Sequence, residues 1–185
     1  MNILKNGGIF LKRDFVLTKQ DYIDFNLFFY AVNPQMKRKR LIQTIIFPII
    51  YLLIPVMLHI YKQTPYSQTL PIFVIAAIAW IIIYPKLSKW AVKKNVAKVI
   101  ENSEKNGGNL TGDYSIEEKE TGIEISNEVG KIFIEWDQIL KLEEDDERIY
   151  IFINPATAYI VKKNAFLSKD EEEALKNRIS IKAAK

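Results

Sequence analysis

The sequence predicts an α+β membrane protein: a two-helix transmembrane hairpin joined to a small cytoplasmic antiparallel β barrel or sandwich with a C-terminal helix. Three observations carry that prediction. Leu41 to Tyr61 runs 21 residues without Asp, Glu, Lys or Arg, and Leu70 to Tyr84 runs another 15. After Gly108 the apolar residues switch to a period of two, the spacing of half-buried strands. The charge is also split: residues 1–108 hold 15 Lys/Arg against 5 Asp/Glu, whereas residues 109–185 hold 11 against 17. The basic portion flanks the apolar runs and the acidic portion follows them, which favours anionic headgroups over nucleic acid as the partner of the cations.

In chain order the sequence divides into an N-terminal arm (1–35), a hairpin (36–85), a basic juxtamembrane helix with a glycine linker (86–108) and a C-terminal β domain (109–185). The start, Met1-Asn-Ile-Leu-Lys, has no adjacent apolar core or small-residue cleavage site and does not read as a signal peptide. Ile9 to Leu17 is β-compatible and reads as a strand, whose pairing with the distal sheet the sequence leaves open. Thr18-Lys19-Gln20-Asp21 has the form of a capping box. The helix it opens carries Tyr22, Ile23, Phe25, Phe28 and Phe29 and ends near Asn33-Pro34. Its aromatic content suits either the headgroup layer or the surface of the soluble domain, because periodicity does not say which partner buries it.

The first apolar run is long enough for about 30 Å of hydrocarbon at about 1.5 Å per residue. The second reaches a comparable span when extended back to Tyr66, with a tight turn over Lys62 to Thr69. Lys37, Arg38, Lys39 and Arg40 precede the first span, and Lys86, Lys89, Lys93 and Lys94 follow the second, with only Lys62 in the loop. The positive-inside rule then puts both termini in the cytoplasm, in a multi-pass plasma-membrane protein. Trp90 reads as an interfacial anchor beside those lysines. Asn109-Leu110-Thr111 matches a glycosylation acceptor but falls on the wrong side of this topology.

Within the first span Thr44, Pro48, Tyr51, Pro55 and His59 recur at helical spacing and form one stripe. Each proline deprives a carbonyl four residues back of its donor, so the stripe is expected to face the second helix, where Ala76 and Ala79 permit close approach. A transport path along the stripe is disfavoured. His59 lies about 27 Å from Leu41 along the helix, far from mid-membrane, and no ionisable side chain stands near the centre.

Asn106-Gly107-Gly108-Asn109 ends the juxtamembrane helix, with glycines suited to left-handed geometry. Six strands follow at Tyr114–Ile116, Gly122–Ile125, Ile132–Ile134, Ile139–Leu142, Ile149–Ile153 and Ala158–Val161. Ser168-Lys169-Asp170-Glu171 then caps a helix running to about Ile179. The acidic run Glu143 to Glu147 lacks a calcium-loop pattern and reads as a solvated hairpin tip, not a cation site. Trp136 reads as core rather than a ligand platform.

Four stretches resemble the YcxB-like family of small bacterial membrane proteins, in an order covering nearly the whole chain: Leu17 to Asn26, Tyr84-Pro85-Lys86, Ile134 to Ile139, and Ala158 to Phe166. Val161-Lys162-Lys163-Asn164-Ala165-Phe166 departs from the Ile-Pro expected before a Lys-Arg-Ala-Phe. The resemblance implies two spanning helices and a C-terminal domain similar to pleckstrin-homology-like (PH-like) folds, and it supplies no activity or catalytic residue.

There is no cysteine and a single histidine, so thiolate chemistry is excluded, and no Ser/His pairing, metal-ligand spacing or glycine-rich phosphate loop is present. The expectation is a non-enzymatic membrane protein without cofactor or metal. It would interact with the bilayer and with a protein partner at the cytoplasmic domain or hairpin, and its oligomeric state is unspecified. Association with similar bacterial domains implies envelope stress or protection against membrane-active peptides. The alternative is an accessory transporter subunit docking through the hairpin, and a carboxylate hydrolase ranks last. Tyr150 and Phe166 are the positions expected to meet a cytoplasmic partner, and Leu53 and Ile75 those expected to meet a spanning one.

Overall fold

A computed structural model describes residues 11–183, so Ile9 and Phe10 of the expected first strand lie outside the described residues. The fold is α+β, with two long apolar helices and two antiparallel sheets. It divides into two units. The first comprises the chain up to Phe25 together with everything from Ala97 onward; the second is Asn26–Val96.

In the first unit, β1 (Lys12–Leu17), β2 (Gly112–Glu118), β3 (Gly122–Asn127) and β4 (Lys131–Glu135) form one antiparallel sheet in that order. β5 (Lys141–Glu144), β6 (Arg148–Asn154) and β7 (Thr157–Lys162) form a second. Lys12 faces Glu117 and Leu17 faces Gly112, so the strand before the hairpin is an edge of the C-terminal sheet. The unit is therefore discontinuous in sequence, with the hairpin inserted between β1 and β2.

Three hairpin tips share one local device, a short polar side chain that folds back onto backbone amides. Asn127 Oδ1 accepts from the amides of Val129 and Gly130, Asp145 Oδ1 from Glu147 and Arg148, and Asn154 Oδ1 from Ala156 and Thr157. The strand expected from Ile139 begins at Lys141 instead. A 3-10 turn over Trp136–Gln138 captures Ile139 as its end, where the Ile139 amide donates to the Trp136 carbonyl at 3.3 Å.

β6 breaks the alternating pattern, because Arg148 to Phe152 are all buried. Phe25 covers one of its faces, with ring centroids 5.1 Å from Tyr150 and 6.1 Å from Phe152. The first turns of α1 (Lys19–Val32) thus pack on the β unit, which resolves the partner of that part of the aromatic helix in favour of protein. Tyr150, expected at the surface, is wholly enclosed. Trp136 is buried and donates its indole N–H to the Glu120 carbonyl at 3.0 Å. α4 (Lys169–Ala183) outlasts the expected end at Ile179, and buries Leu175 and Ile179. Its cap differs slightly from the capping-box form: Ser168 Oγ accepts from the Glu171 amide, while Glu171 reaches the amide of Leu167.

The second unit is built on α2 (Pro34–Lys62) and α3 (Tyr66–Lys105) up to Val96, with the end of α1. Asn33 caps α2 through its side chain, with Pro34 in the first position, where the missing N–H costs nothing. The basic cluster Lys37 to Arg40 is therefore part of the same helix as the apolar run. The turn is shorter than expected, Gln63–Pro65 only, and Gln63 takes the left-handed conformation at φ 55°. α3 passes through Pro71 and Pro85 as one helix of 40 residues, so no break separates the second span from the basic stalk. It ends in a Schellman motif. Gly108 N–H bonds Ser103 C=O, Gly107 N–H bonds Glu104 C=O, and Gly107 has φ +77°, which glycine adopts without strain.

Candidate functional site

Two places concentrate chemistry, one in each unit. In the hairpin, the stripe Thr44, Pro48, Tyr51, Pro55 and His59 is the inward side of α2. Pro48 and Pro55 are buried, the other three are half-buried, and most of their neighbours are exposed, with Ile54 and Leu58 half-buried beside them. Facing it on α3 are Phe73, Ala77, Trp80 and Tyr84, at the four-three-four spacing of a packing seam. Ala77 is buried and Ala76 exposed, so the small residue at closest approach is one position later than expected, a rotation of about 100°. Ala79 is half-buried. Trp80 is the centre of the seam. Its ring lies 5.0 Å from Phe47 and edge-on to Tyr51 at 6.2 Å, stacks on Tyr84 at 5.2 Å, and its indole N–H donates to the Gln43 carbonyl at 3.3 Å. Tyr84 also donates to Gln43 Oε1.

At the far end His59 closes the turn. Its Nδ1 lies 3.0 Å from the Thr64 carbonyl and its ring stacks on Tyr66 at 4.2 Å, while the Thr64 hydroxyl donates to the Leu58 carbonyl. The only histidine is thus committed to turn geometry.

At the other end of the hairpin, Lys37, Arg38, Lys39 and Arg40 on α2 and Lys86, Lys89, Lys93 and Lys94 on α3 form a single basic collar. The pairing of Gln43 with Tyr84 brings these two segments side by side. Arg40 is held by two contacts to Tyr30. Its guanidinium lies 4.8 Å over the Tyr30 ring and donates to the Tyr30 carbonyl at 3.2 Å. Trp90 is exposed, with Lys94 Nζ 5.0 Å from its ring. The first of the collar cations, Lys37, stands at the end of the first turn of α2, where the helix dipole disfavours positive charge. An anionic surface beside it would offset that cost.

In the β unit the site that sequence reasoning missed is a buried ion cluster. Asp21 and Arg148 are both enclosed, and Arg148 Nε donates to Asp21 Oδ1 at 2.7 Å. Arg148 also donates to Asp24 at 2.9 Å and lies 3.4 Å from Asp145 and 3.1 Å from Glu147. Asp21 Oδ2 accepts from the Thr18 amide at 2.8 Å and hydroxyl at 2.7 Å, and Lys162 Nζ stands 3.4 Å from Oδ1. Burial alone would raise the Asp21 carboxyl, but the Thr18 hydroxyl and amide and the Arg148 guanidinium hold it below its ordinary range. Asp145 follows the same logic: burial raises it, and the Tyr150 hydroxyl, two backbone amides and Arg148 bring it down on balance. The expected solvated acidic tip is therefore only partly solvated. Asp145 anchors the turn and Glu144 pairs with Lys163 and Lys176 at 2.9 Å each. Among the described residues no group of three or more His, Asp or Glu side chains could hold a metal ion.

The sequence did contain one signal for this cluster. Asp21 and Asp24 share a helix face, and Arg148 is a lone cation against a strand too apolar to be half-exposed.

Residues 119–177, from the loop before β3 into α4, match the family model described as YcxB-like protein. The chain carries a YcxB-like domain. No curated protein and no solved structure gives a significant match. The YcxB-like match stops short of β1 and β2, which complete the first sheet on either side of the inserted helices. Of the ion cluster, it contains Asp145, Glu147, Arg148 and Lys162 but not their partners on α1.

Proposed function

We propose that this chain is a non-enzymatic integral membrane protein. In this reading α2 and α3 cross a bacterial plasma membrane as a hairpin, both termini are cytoplasmic, and the β unit is a PH-like protein-interaction module. The supporting observation is the outward surface of the hairpin. Only 11% of the most apolar 18-residue window of α2, and 6% of that of α3, is buried within the protein. Helices in the core of a water-soluble protein would be mostly covered, and an uncovered patch of this extent needs lipid or partner helices as its solvent. A seam of proline, small and aromatic residues inside, apolar surface outside and a basic collar at one end is the arrangement expected of a spanning pair.

The PH-like assignment draws support from strand count and order: four antiparallel strands, then three, then a closing helix. Envelope stress, or protection against membrane-active peptides, is the physiological setting this architecture suits, by analogy of fold and location.

The first experiment is alkaline carbonate extraction of vesicles carrying the full chain. Retention in the pellet is expected; quantitative release of folded protein would defeat the membrane reading. Site-specific photocrosslinking in membranes then identifies the docking face. Capture of soluble proteins from exposed Phe133 or Leu140 supports an interaction module. Capture of membrane proteins from exposed Leu53 or Ile75 alone would make the chain an accessory subunit docking through its hairpin.

A further inference from the structure

We infer that the basic end of the hairpin holds one anionic phospholipid in a defined site, beyond the diffuse attraction of its cations to a charged leaflet. This rests on the membrane reading above and specifies a ligand for it. A cavity of about 380 Å³ opens at this end of the second unit, within the range of about 300–1,000 Å³ usual for small-molecule sites. Trp80, Tyr84, Leu87 and Ala91 of α3 form an apolar wall, and Lys39 and Arg40 of α2 stand on the facing side. The cavity is thus two-natured, like an amphiphile: two cations at one end and aromatic and aliphatic surface along the rest.

Arg40 is set for this role. Its stacking on Tyr30 at 4.8 Å and its bond to the Tyr30 carbonyl at 3.2 Å fix the guanidinium plane. One of its five donors is used there, and the planar fork suits a phosphate. Trp80 and Tyr84 are locked by their own bonds to Gln43, so the wall is preformed. A phosphodiester between Lys39 and Arg40, with one acyl chain along Trp80 and Leu87, satisfies both halves. A soluble phosphate would satisfy only the cationic half and leave the aromatic wall uncovered, which is why lipid is the assigned occupant.

The test uses the full chain in phosphatidylcholine vesicles containing phosphatidylglycerol with a photoactivatable acyl chain, and the labelled peptides are mapped by mass spectrometry. Labelling should concentrate on the segment from Trp80 to Ala91. The double substitution Lys39→Gln with Arg40→Gln should reduce it about tenfold, the effect of losing charge-assisted hydrogen bonds. Ala91→Trp, which fills the cavity and keeps every charge, should reduce it comparably. Lys89→Gln with Lys93→Gln removes the same charge from the collar away from the cavity and should leave labelling unchanged.

Equal loss in that control pair, or uniform labelling of both helices in protein that resists carbonate, would overturn the lipid site and leave the membrane reading standing. Displacement of the label by inorganic phosphate or glycerol phosphate would overturn the lipid assignment in favour of a soluble phosphate compound. Release of the protein by carbonate would overturn both.

Discussion

In the β unit Ile149, Ile151 and Val161 are sealed inside while Lys141 and Glu147 meet solvent; in the hairpin Ile75 and Ile82 face outward while Thr44 and Tyr51 face in. The two units therefore solve opposite problems. Water drives apolar groups into the β unit, and the polar groups drawn in with them must pair. Around the hairpin, apolar surface is no penalty if lipid surrounds it. What holds the pair together is then aromatic packing, small residues and the hydrogen bonds of Trp80 and Tyr84. Substitutions chosen in pairs can break or sharpen that contrast.

The largest effect is expected at Arg148. Arg148→Ala leaves Asp21 as a buried carboxylate without its principal ionic partner, a loss of about 3–5 kcal/mol. Urea titration of the full-length protein in micelles, followed by the circular dichroism of the β unit, measures it. A loss below about 1 kcal/mol, the ceiling for typical exposed pairs, would mean that the cluster is solvated.

Next comes the seam. Ala77→Leu should overpack α2 against α3 and cost about 1–3 kcal/mol, whereas Ala76→Leu on the exposed face should be tolerated. Thermal unfolding of the two variants in the same micelles ranks them, and the reverse order would reassign the contact face.

Acid comes third. Because Asp21 is held below its ordinary value, the stability it contributes is complete above its unfolded pKa of about 3.9 and is lost as pH falls through the lower folded value. The urea midpoint should be level from neutrality to about pH 5 and decline below about pH 4. Asp21→Asn should shallow that decline without removing it, since Asp145 is depressed in the same cluster. A decline centred near pH 6 would implicate a different group.

The smallest effect is expected at a tip. Asn127→Ala removes two side-chain-to-amide bonds from the β3–β4 turn and should cost about 1 kcal/mol, readable as a modest shift in the same titration.

The local order of these effects was readable from the residues, and the long-range order was not. Period-two alternation located six strands, and Thr18, Asn33, Gly107 and Ser168 marked helix ends, because capping and pleat are decided within a few residues. The seam stripe on α2 was legible for the same reason: Pro48 and Pro55 bias one face. On the partner helix Ala77 takes the place expected of Ala76, while Ala79 is half-buried, since all three are small and only packing chooses among them. Pro85 did not end α3, because a proline removes one hydrogen bond without forbidding the helix that continues beyond it. Arg148 and Asp21 are 127 residues apart, with the whole hairpin between them. Local pattern marks Asp21, Asp24 and Arg148 one by one but does not encode their meeting. The same separation hid the place of β1 in the sheet, although the strand itself was visible.

The central claim is that the outward face of α2 and α3 has lipid as its solvent and that both ends of the hairpin share one side. The natural absence of cysteine allows a direct measurement: label single cysteines with an impermeant maleimide in intact cells and again after lysis. Gln63→Cys in the turn should react in intact cells, and Asn106→Cys beyond the end of α3 only after lysis. Equal reactivity of the two before lysis, or protection of Gln63→Cys with exposure of Asn106→Cys, would contradict the account.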